Sequence, residues 1–427
     1  MTGEARELIA SINGRAVGVL NERGGFWTFR YAADWLSHPG RYPISPRLPL
    51  QQDTIVDTGS LRPVQWFFDN LLPEETAREL LARDAGLDVD DAWDLLAYFG
   101  AESAGAVTLL PPGRALPAGG LRPLPEDELQ RRLDAFPRRS LSADSPKRMS
   151  LGGAQAKLPV VVRDHAIHEP IGNECSTHIL KPDSKTEGFP HTAINEFFCM
   201  RLAARIGLPV PPVAFRQKPS PLYLVERFDR LPGPDGVERI HVLDALQLLS
   251  LDRRLKYAMA SVGTLGDCIA LCRTAARTRI DLYRWTVFNV LIGNHDAHLK
   301  NISFMVGPNG ISLAPFYDLL STAVYATREH DPRPPHWPEV ELSLPIGNAR
   351  FFADLTPTDL VAFGVGLGLR ERVAADLLTT TVSSLNDSLP AVVMEVMALA
   401  HAGQQRLIHA ILAMPIREMS ARLRPRS

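Results

Sequence analysis

The stretch Gly293-Asn-His-Asp-Ala-His-Leu-Lys-Asn301 follows an apolar run, Trp285 to Ile292, that has the character of a buried helix. Within it, Asp296 and Asn301 are five positions apart. Transfer of a phosphoryl group to a hydroxyl needs a carboxylate that orients the hydroxyl and accepts its proton. It also needs oxygen ligands for the magnesium ions that neutralise the phosphates. The stretch therefore predicts a phosphoryl-transfer site.

Three further side chains extend this site. Lys300 is placed to meet the charge that develops on the transferred phosphate, and His298 to orient Asp296 or to contact phosphate. Downstream, Pro315-Phe-Tyr-Asp-Leu319 supplies Asp318, a carboxylate among apolar residues. Burial of an unpaired charge is costly, so Asp318 is expected to meet a cation, and we predict that it is a second magnesium ligand.

Two other interpretations of the same stretch remain open from the sequence. The residues between Gly293 and Asn301 are also compatible with a solvated polar turn. A zinc site built from His295, Asp296 and His298 is a further alternative, although no third distant ligand stands out. Asp318 makes the plain turn less favoured.

Upstream residues complete an order that is informative as a whole. Lys181 ends the strand-like run Thr177-His-Ile-Leu, from which a lysine reaches phosphates, and Glu196 lies on a predicted helix over 192–206. Each alone is also compatible with an ordinary surface charge. Together, however, five residues follow the order found in protein kinases. They are Lys181, Glu196, Asp296, Asn301 and Asp318.

Two more segments fit a nucleotide site. Ser150-Leu-Gly-Gly-Ala-Gln-Ala-Lys157 contains paired glycines, which let backbone N–H groups approach phosphates. Glu226-Arg-Phe228 follows a predicted strand, where a kinase hinge offers backbone groups to adenine. Taken alone, these segments are also compatible with a plain turn and an ordinary strand end.

The chain divides by composition and periodicity into a small α/β lobe followed by a larger helical lobe. We predict an amino-terminal subdomain over 1–110, a linker rich in Pro, Gly and polar residues over 111–147, an ATP-binding lobe over 148–235 and a helical lobe over 236–427. The fold class is therefore α+β. Short β-type segments are expected near 302–306 and 311–313 within the helical lobe.

Composition excludes several classes of protein. The net charge of −2 argues against nucleic-acid binding through overall charge. The polar start does not have the pattern of a secretory signal, and no apolar run approaches the roughly 20 residues of a membrane span. The four cysteines are expected to be reduced, as in a cytoplasmic protein. We therefore expect a cytoplasmic protein.

The motifs resemble those of the HipA-type serine/threonine kinases. The segments that carry the resemblance are Asp-Ala-His-Leu-Lys-Asn, Pro-Phe-Tyr-Asp-Leu-Leu-Ser, Ser-Leu-Gly-Gly-Ala-Gln-Ala-Lys, Val-Glu-Arg-Phe-Asp-Arg and Asn-Glu-Phe-Phe-Cys-Met. The amino-terminal unit adds Phe67-Phe-Asp-Asn-Leu-Leu-Pro73, Asp94-Leu-Leu and Ser103-Ala-Gly-Ala-Val-Thr108. The resemblance covers the chain to about residue 325.

The resemblance implies a protein-kinase-like bilobal fold with an added amino-terminal α/β subdomain and an all-helical carboxy-terminal lobe. It implies that Asp296 is the catalytic base, assisted by Lys300, and that Asn301 and Asp318 hold Mg²⁺. The residues implied to contact ATP are Gly152, Gly153, Ala154, Gln155, Ala156, Lys157, Lys181, Glu196, Glu226, Arg227, Phe228, His298, Asn301, Tyr317 and Asp318.

Ser150 matches the position that members of the family autophosphorylate, which shuts the enzyme down. A phosphate adds nearly two negative charges beside a loop that must itself cradle phosphates. We expect the phosphorylated serine to bind Lys147 or Arg148 and so to hold the loop out of the site. A plain turn serine is the alternative.

Family members are toxins held by a helix-turn-helix antitoxin, and several phosphorylate aminoacyl-tRNA synthetases. The resemblance therefore implies a protein substrate and a HipB-like antitoxin. Family DNA contacts come from basic residues of the helical lobe, whereas Phe351 to Leu369 contains no Lys or Arg. DNA is expected to be contacted only indirectly, through the antitoxin. The segment Arg328 to Pro338 lies where an activation loop would be.

Two functions from other classes remain as alternatives. A kinase acting on a small molecule or a lipid headgroup uses a similar Asp-x-His-x-x-Asn loop. A catalytically silent corepressor scaffold is the non-enzymatic alternative. The intact set of Lys181, Asp296, Asn301 and Asp318 argues against the scaffold, because a scaffold has no physical need for metal ligands.

Overall fold

A computed structural model describes residues 6–149, 151–153, 155–233 and 236–424 of the chain. The strands are β1 (Arg6–Ile12), β2 (Arg15–Arg23), β3 (Phe26–Tyr31), β4 (Ile55–Val56), β5 (Val107–Leu110), β6 (Gly120–Pro123), β7 (Leu158–Arg163), β8 (Ala166–Ile171), β9 (His178–Pro182), β10 (Val213–Arg216), β11 (Leu222–Glu226), β12 (Arg230–Gly233), β13 (Gly236–Arg239), β14 (His241–Asp244), β15 (Ser303–Gly307), β16 (Gly310–Leu313), β17 (Glu341–Ile346) and β18 (Ala349–Phe351).

The α-helices are α1 (Ala33–Ser37), α2 (Pro63–Asp69), α3 (Glu75–Ala85), α4 (Ala92–Phe99), α5 (Glu126–Ala135), α6 (Thr192–Arg205), α7 (Ala245–Leu249), α8 (Val262–Leu271), α9 (Ala275–Ile292), α10 (Pro357–Gly366), α11 (Glu371–Met397), α12 (Ala402–Ile411) and α13 (Arg417–Arg422). The chain divides into two compact units. Unit 1 comprises Met1–Lys181, Glu226–Leu255 and Ser303–Ser312, and unit 2 comprises Pro182–Val225, Lys256–Ile302 and Leu313–Ser427. The boundaries of the domains expected from the sequence stay a prediction.

Unit 1 begins with an antiparallel sheet in the order β4-β3-β2-β1-β5. Asn13 and Gly14 both have positive φ, so they form the tight turn that joins β1 to β2. Alternate residues of β1 are buried, which gives the sheet one face against the core. The sequence over 16–20 and 26–31 has β-type composition on either side of a glycine-rich turn, and these residues form part of β2 and the whole of β3.

The sequence has a helical pattern from 64 to 81, which predicts one helix, but the structure interrupts it. The pattern falls into α2 and α3, and Pro73 lies in the break between them. A proline inside a helix removes one backbone donor and clashes with the preceding turn, so one continuous helix is not available to this sequence.

A second antiparallel arrangement in unit 1 runs in the order β9-β7-β8-β6. Its last strand and helix α5 lie inside the range expected to be a linker, 111–147. Leu129 and Leu133 of α5 are buried. Arg132 donates to the Oε1 of Glu169 at 2.7 Å, with both side chains buried. This apolar and ionic anchoring orders a segment whose composition alone indicated a mobile connection.

Unit 2 is mainly helical. Helix α11 packs against both α6 and α9, and β10 pairs with β11 in antiparallel fashion. The helices expected over 192–206 and around 285–292 are confirmed as α6 and part of α9. The range 236–427 is not entirely helical, because it also contains β14, β15, β16 and the hairpin β17–β18. The β-type segments expected near 302–306 and 311–313 correspond to β15 and β16.

Candidate active site

The predicted catalytic loop begins where α9 ends, in unit 2. Gly293 terminates this helix with φ +65°, a left-handed conformation in which side chains are strained. A Cβ at this position would lie 2.7 Å from the Cβ of Pro415. Glycine is therefore required here by both conformation and space, and the chain turns abruptly from the buried helix into the loop.

Asn294 fixes the start of the loop. Its Oδ1 accepts from the backbone N–H of Asp296 at 3.0 Å, and its Nδ2 donates to the Oδ1 of Asn289 on α9 at 2.8 Å. Asn289 in turn donates to the carbonyl oxygen of Trp285 at 2.9 Å. A chain of amide groups thus anchors the backbone of Asp296 to a buried helix.

The spacing of Asp296 and Asn301 has a structural basis in this unit. Asn301 Nδ2 donates to the backbone carbonyl of Asp296 at 2.8 Å, and the intervening backbone forms a 3₁₀ turn, Leu299–Asn301. Because Nδ2 is engaged, the amide oxygen of Asn301 points elsewhere and keeps its acceptor capacity. The Asp296 side chain is 47% exposed, so its carboxylate is accessible to an acceptor hydroxyl.

Asp318 has φ +60°, which is unusual for a residue with a side chain. The residues before it hold this conformation, because Tyr317 donates to the carbonyl oxygen of Lys300 at 2.7 Å and the Phe316 ring stacks on Trp285 at 5.8 Å. The segment is thereby tied to the catalytic loop within unit 2. Strained backbone of this kind persists where the surrounding structure over-determines it, often at functional sites.

Glu196 and Asp318 both act on one tyrosine. Burial raises the pKa of Tyr223 well above its ordinary value, and the charges of Glu196 and Asp318 raise it further. The two carboxylates are therefore neighbours of the same hydroxyl in unit 2. Glu196 is only 1% exposed, so its interpretation as an ordinary surface charge is wrong.

Lys181 lies in unit 1, in strand β9 as expected, and is buried. The glycine-rich segment belongs to the same unit. Gly153 has φ +98°, its carbonyl oxygen accepts from the N–H of Glu74 at 3.3 Å, and Lys157 Nζ donates to the carbonyl oxygen of Gly152 at 2.5 Å. The loop is thus folded around the Lys157 ammonium. Ser150 and Ala154 lie outside the described residues.

The structure assigns Arg227 a role that the sequence did not reveal. Its N–H donates to the carbonyl oxygen of Thr177 at 2.9 Å, and its guanidinium pairs with Asp229 at 2.7 Å and with Glu102 at 3.2 Å. The backbone N–H and the guanidinium of Arg227 are therefore both engaged in contacts within unit 1. Glu226 is exposed at the end of β11, and Phe228 follows it.

The expected partners of a phosphorylated Ser150 are engaged elsewhere. Lys147 is buried and donates to Glu102 at 2.7 Å and to the carbonyl oxygen of Glu174 at 2.6 Å. The Arg148 guanidinium lies over the Tyr98 ring at 3.8 Å. That Lys147 receives the phosphate stays a prediction, and such a movement would break the buried ion pair of Glu102. Arg148 stays a candidate.

The donor chemistry fits magnesium rather than zinc. Among residues 6–149, 151–153, 155–233 and 236–424, no group of three or more His, Cys, Asp or Glu side chains is arranged to hold a metal ion. His295 Nδ1 is hydrogen-bonded to Thr322 at 2.9 Å, and burial lowers the pKa of His295. Magnesium needs only one or two protein oxygens beside phosphates, which Asn301 and Asp318 can supply. The zinc interpretation is not supported.

Sequence reasoning missed two residues of this site, Lys256 and Tyr257. The Tyr257 hydroxyl donates to Oδ1 of Asp296, and the Lys256 carbonyl oxygen accepts from the N–H of Leu299 at 3.3 Å. Both residues lie in a loop before α8 with no periodicity and no recognisable motif. No signal in a single sequence links them to a loop about 40 positions away.

Comparison with known proteins assigns this chain to a family. Residues 8–110 match the HipA N-terminal domain, and residues 149–389 match the HipA-like C-terminal domain. This chain belongs to the HipA family.

Individual HipA-family relatives span most of the chain. A Sinorhizobium fredii protein named "Putative kinase Y4mE" is 37% identical, with 87% of this chain and 89% of that protein covered. The serine/threonine-protein kinase toxin HipA of Shewanella oneidensis is 30% identical, with 85% of this chain and 83% of that protein covered.

The solved complex of Shewanella oneidensis MR-1 HipA, HipB and operator DNA contains a chain that matches with a TM-score of 0.80 at 26% identity. The match covers 98% of this chain and 100% of that chain. The expected family and the mixed helix-and-sheet fold class are therefore confirmed. The HipA family is a family of serine/threonine kinases, so the expectation of a kinase of this class is confirmed at the level of the family. None of the described helices combines the length and the apolarity that a membrane span requires.

Proposed function

We propose that this HipA-family protein transfers the γ-phosphate of ATP to a serine or threonine hydroxyl of another protein, as the toxin of a HipA/HipB-like module. The observation that carries the proposal is the geometry around Asp296. Its backbone is anchored to α9 through Asn294 and to Asn301, while its carboxylate is half exposed. A rigid backbone with an accessible carboxylate is what a general base for an incoming hydroxyl requires.

The roles of the other residues follow from their chemistry. Asp296 orients the acceptor hydroxyl and takes its proton as the hydroxyl oxygen attacks the γ-phosphorus of ATP, while the bond from this phosphorus to the β–γ bridging oxygen breaks and ADP leaves. Buried Lys300 offers positive charge to the phosphate during transfer. Asn301 and Asp318 supply the oxygen ligands for magnesium. The metal, when bound, neutralises the negative charge of the phosphates.

The nucleotide is proposed to bind the glycine-rich segment, Gly152 to Lys157, together with Lys181 and the segment Glu226 to Phe228. Support comes from the positive φ of Gly153 and from the position of Lys157 inside the loop. Arg227 contributes through its backbone carbonyl, since its guanidinium and N–H are engaged. ATP phosphates would compete with the Gly152 carbonyl for the Lys157 ammonium.

Autophosphorylation of Ser150 is proposed as the inhibitory step. The described neighbours of Ser150 are buried: Met149 is 3% exposed and Leu151 is 7% exposed. A phosphate on Ser150 would add nearly two negative charges next to the segment that we propose to bind the ATP phosphates. Phosphorylation should therefore weaken the binding of ATP by repulsion between like charges.

The antitoxin is proposed to be a HipB-like helix-turn-helix protein, and the protein substrate an aminoacyl-tRNA synthetase. The first proposal is supported by the likeness to the chain in complex with HipB and operator DNA. DNA contact is proposed to run through the antitoxin, because Phe351 to Leu369, which includes α10, carries no Lys or Arg. We further propose that the protein works in the bacterial cytoplasm; Cys175, Cys199, Cys268 and Cys272 are free thiols.

The test is phosphate transfer from γ-labelled ATP with magnesium to a panel of acceptors. The panel holds the aminoacyl-tRNA synthetases of the source organism and a set of hydroxyl-bearing small molecules and lipid headgroups. We expect label on a serine or threonine of one synthetase with the parent protein and none with Asp296→Asn. Label on a small molecule alone would support the small-molecule kinase, and absence of ATP binding would support the scaffold.

A further inference from the structure

Tyr257 is hydrogen-bonded to the proposed catalytic base, although nothing in the sequence singles it out. Its hydroxyl donates to Oδ1 of Asp296 within unit 2. The tyrosine is 45% exposed, so this polar contact is formed at the open side of the site rather than in the core. An exposed hydroxyl has water as an alternative partner, and a specific bond to a carboxylate therefore needs a structural cause.

Three further contacts supply that cause. The Tyr257 ring packs edge-on against the His298 ring, with centroids 5.0 Å apart. The carbonyl oxygen of Lys256 accepts from the N–H of Leu299 at 3.3 Å, which joins the two loops through their backbones. The Tyr257 carbonyl oxygen accepts from the N–H of Ala260 at 2.9 Å, which closes a turn just before α8. The contacts with His298 and Leu299 thus hold this segment against the catalytic loop, and the turn to Ala260 fixes the backbone of Tyr257.

The cation of Lys256 stabilises the same ring. Its Nζ lies 5.3 Å from the centroid of the Tyr257 ring, within the range of a cation–π contact. Lys256 is itself buried, so its position does not depend on a flexible exposed chain. The tyrosine ring is therefore restrained before any substrate arrives.

We propose that Tyr257 is a positioning residue that fixes the rotation of the Asp296 carboxylate; this inference rests on the proposed kinase function. The terminal torsion of an aspartate is broad and roughly two-fold, so a carboxylate anchored only by its backbone still rotates. A donor on Oδ1 selects one orientation. Oδ2 is then directed to the acceptor hydroxyl, which has to be aligned with the reacting phosphate.

The expected effect follows from what general-base catalysis contributes. A positioned base accelerates proton transfer by about 10²–10⁴-fold, and loss of orientation forfeits part of this. We expect Tyr257→Phe, which removes only the hydroxyl, to lower kcat by about 10- to 100-fold. The KM for ATP should be unchanged, since the ring and its packing on His298 remain.

The experiment compares the steady-state kinetics of four proteins with the same phosphoacceptor: the parent, Tyr257→Phe, Met259→Leu and Asp296→Asn. Met259 is the matched control, because it lies in the same turn with an exposed side chain. Thermal unfolding of each protein separates a folding defect from a kinetic one. A lowered kcat for Tyr257→Phe, with unchanged KM for ATP and unchanged Tm, would support the inference, provided Met259→Leu keeps the parent rate.

Two results would overturn it, and they differ from failure of the kinase function. A parent rate in Tyr257→Phe, with Asp296→Asn inactive, leaves the kinase function intact and removes the role of Tyr257. A rate above that of the parent would show instead that the tyrosine hydroxyl competes with the acceptor. No transfer by the parent to any acceptor would contradict both the proposed function and the inference.

Discussion

At the scale of single residues, Asn294 anchors the backbone of Asp296 to helix α9. Its side chain joins the Asp296 N–H to Asn289. We predict that Asn294→Ala lowers kcat by about 10-fold. Without this side chain the backbone of Asp296 is less restrained, and its carboxylate is less often aligned with the acceptor hydroxyl. Phosphate transfer at saturating ATP measures this. Asn348→Ala, at an exposed position, is the control, and equal rates for the two variants would contradict the prediction.

The sequence singles out the residues that we propose to carry the chemistry, but it does not single out the residues that hold them in place. Asp296 and Asn301 are recognisable because their spacing is local, and one short turn brings them together. Tyr257 and Glu102 act on partners that are distant in sequence, and a single tyrosine or glutamate has no pattern. Whether Arg227 binds a ligand or a buried carboxylate is decided only by tertiary contacts.

At the scale of elements, one buried carboxylate joins several segments of unit 1. Glu102 lies 2.7 Å from Lys147, 3.2 Å from Arg227 and 3.1 Å from Arg230, and it is fully buried. Burial alone would raise its pKa, but the charges of these three cations hold the pKa of Glu102 well below its ordinary value. The carboxylate is therefore ionised in the folded protein.

We predict that Glu102→Gln lowers the free energy of unfolding by about 3–5 kcal/mol, because it leaves buried cations without their counter-charge. Urea denaturation measures the change. Glu126→Gln replaces an exposed glutamate of α5 and should change stability by less than about 0.5 kcal/mol. Equal effects of the two substitutions would show that the buried cluster does not stabilise unit 1.

Elements with strong periodicity were predictable, whereas those ordered by distant contacts were not. Helix α6 and the last part of α9, from Trp285 to Ile292, have apolar patterns that predict helix. Strand β6 and helix α5 lie in a segment rich in Pro, Gly and charge, and their order depends on Glu169 of β8. Pro73 indicates the break between α2 and α3, because proline disfavours a continuous helix. The helical spacing of the apolar residues does not show this break.

At the scale of the whole molecule, stability should depend on pH through His241. Its Nε2 is hydrogen-bonded to the carbonyl oxygen of Ile44 at 2.7 Å, and burial lowers the pKa of His241 to about 4. The unfolded chain binds a proton near the ordinary pKa of about 6.5, whereas the folded protein does not. Stability is thus present above pH 6.5 and is lost progressively as the pH falls towards 4.

We predict that this loss reaches about 3 kcal/mol for His241 alone. His241→Gln keeps an N–H donor but cannot be protonated in this range. Urea denaturation at pH 7, 5.5 and 4.5 should therefore show that the parent loses stability relative to the variant. A constant difference between the two proteins across these pH values would contradict the assignment.

The central claim is that this protein is an active kinase with Asp296 as its base, and the mass of the peptide containing Ser150 tests it most directly. The parent protein and the Asp296→Asn variant are each incubated with ATP and magnesium and then digested. The mass of the peptide that contains Ser150 is measured by mass spectrometry. We predict a mass increase of one phosphate on Ser150 in the parent and none in the variant. Unmodified peptide in both proteins, with ATP bound, would contradict the claim, as would phosphate on Ser150 in Asp296→Asn.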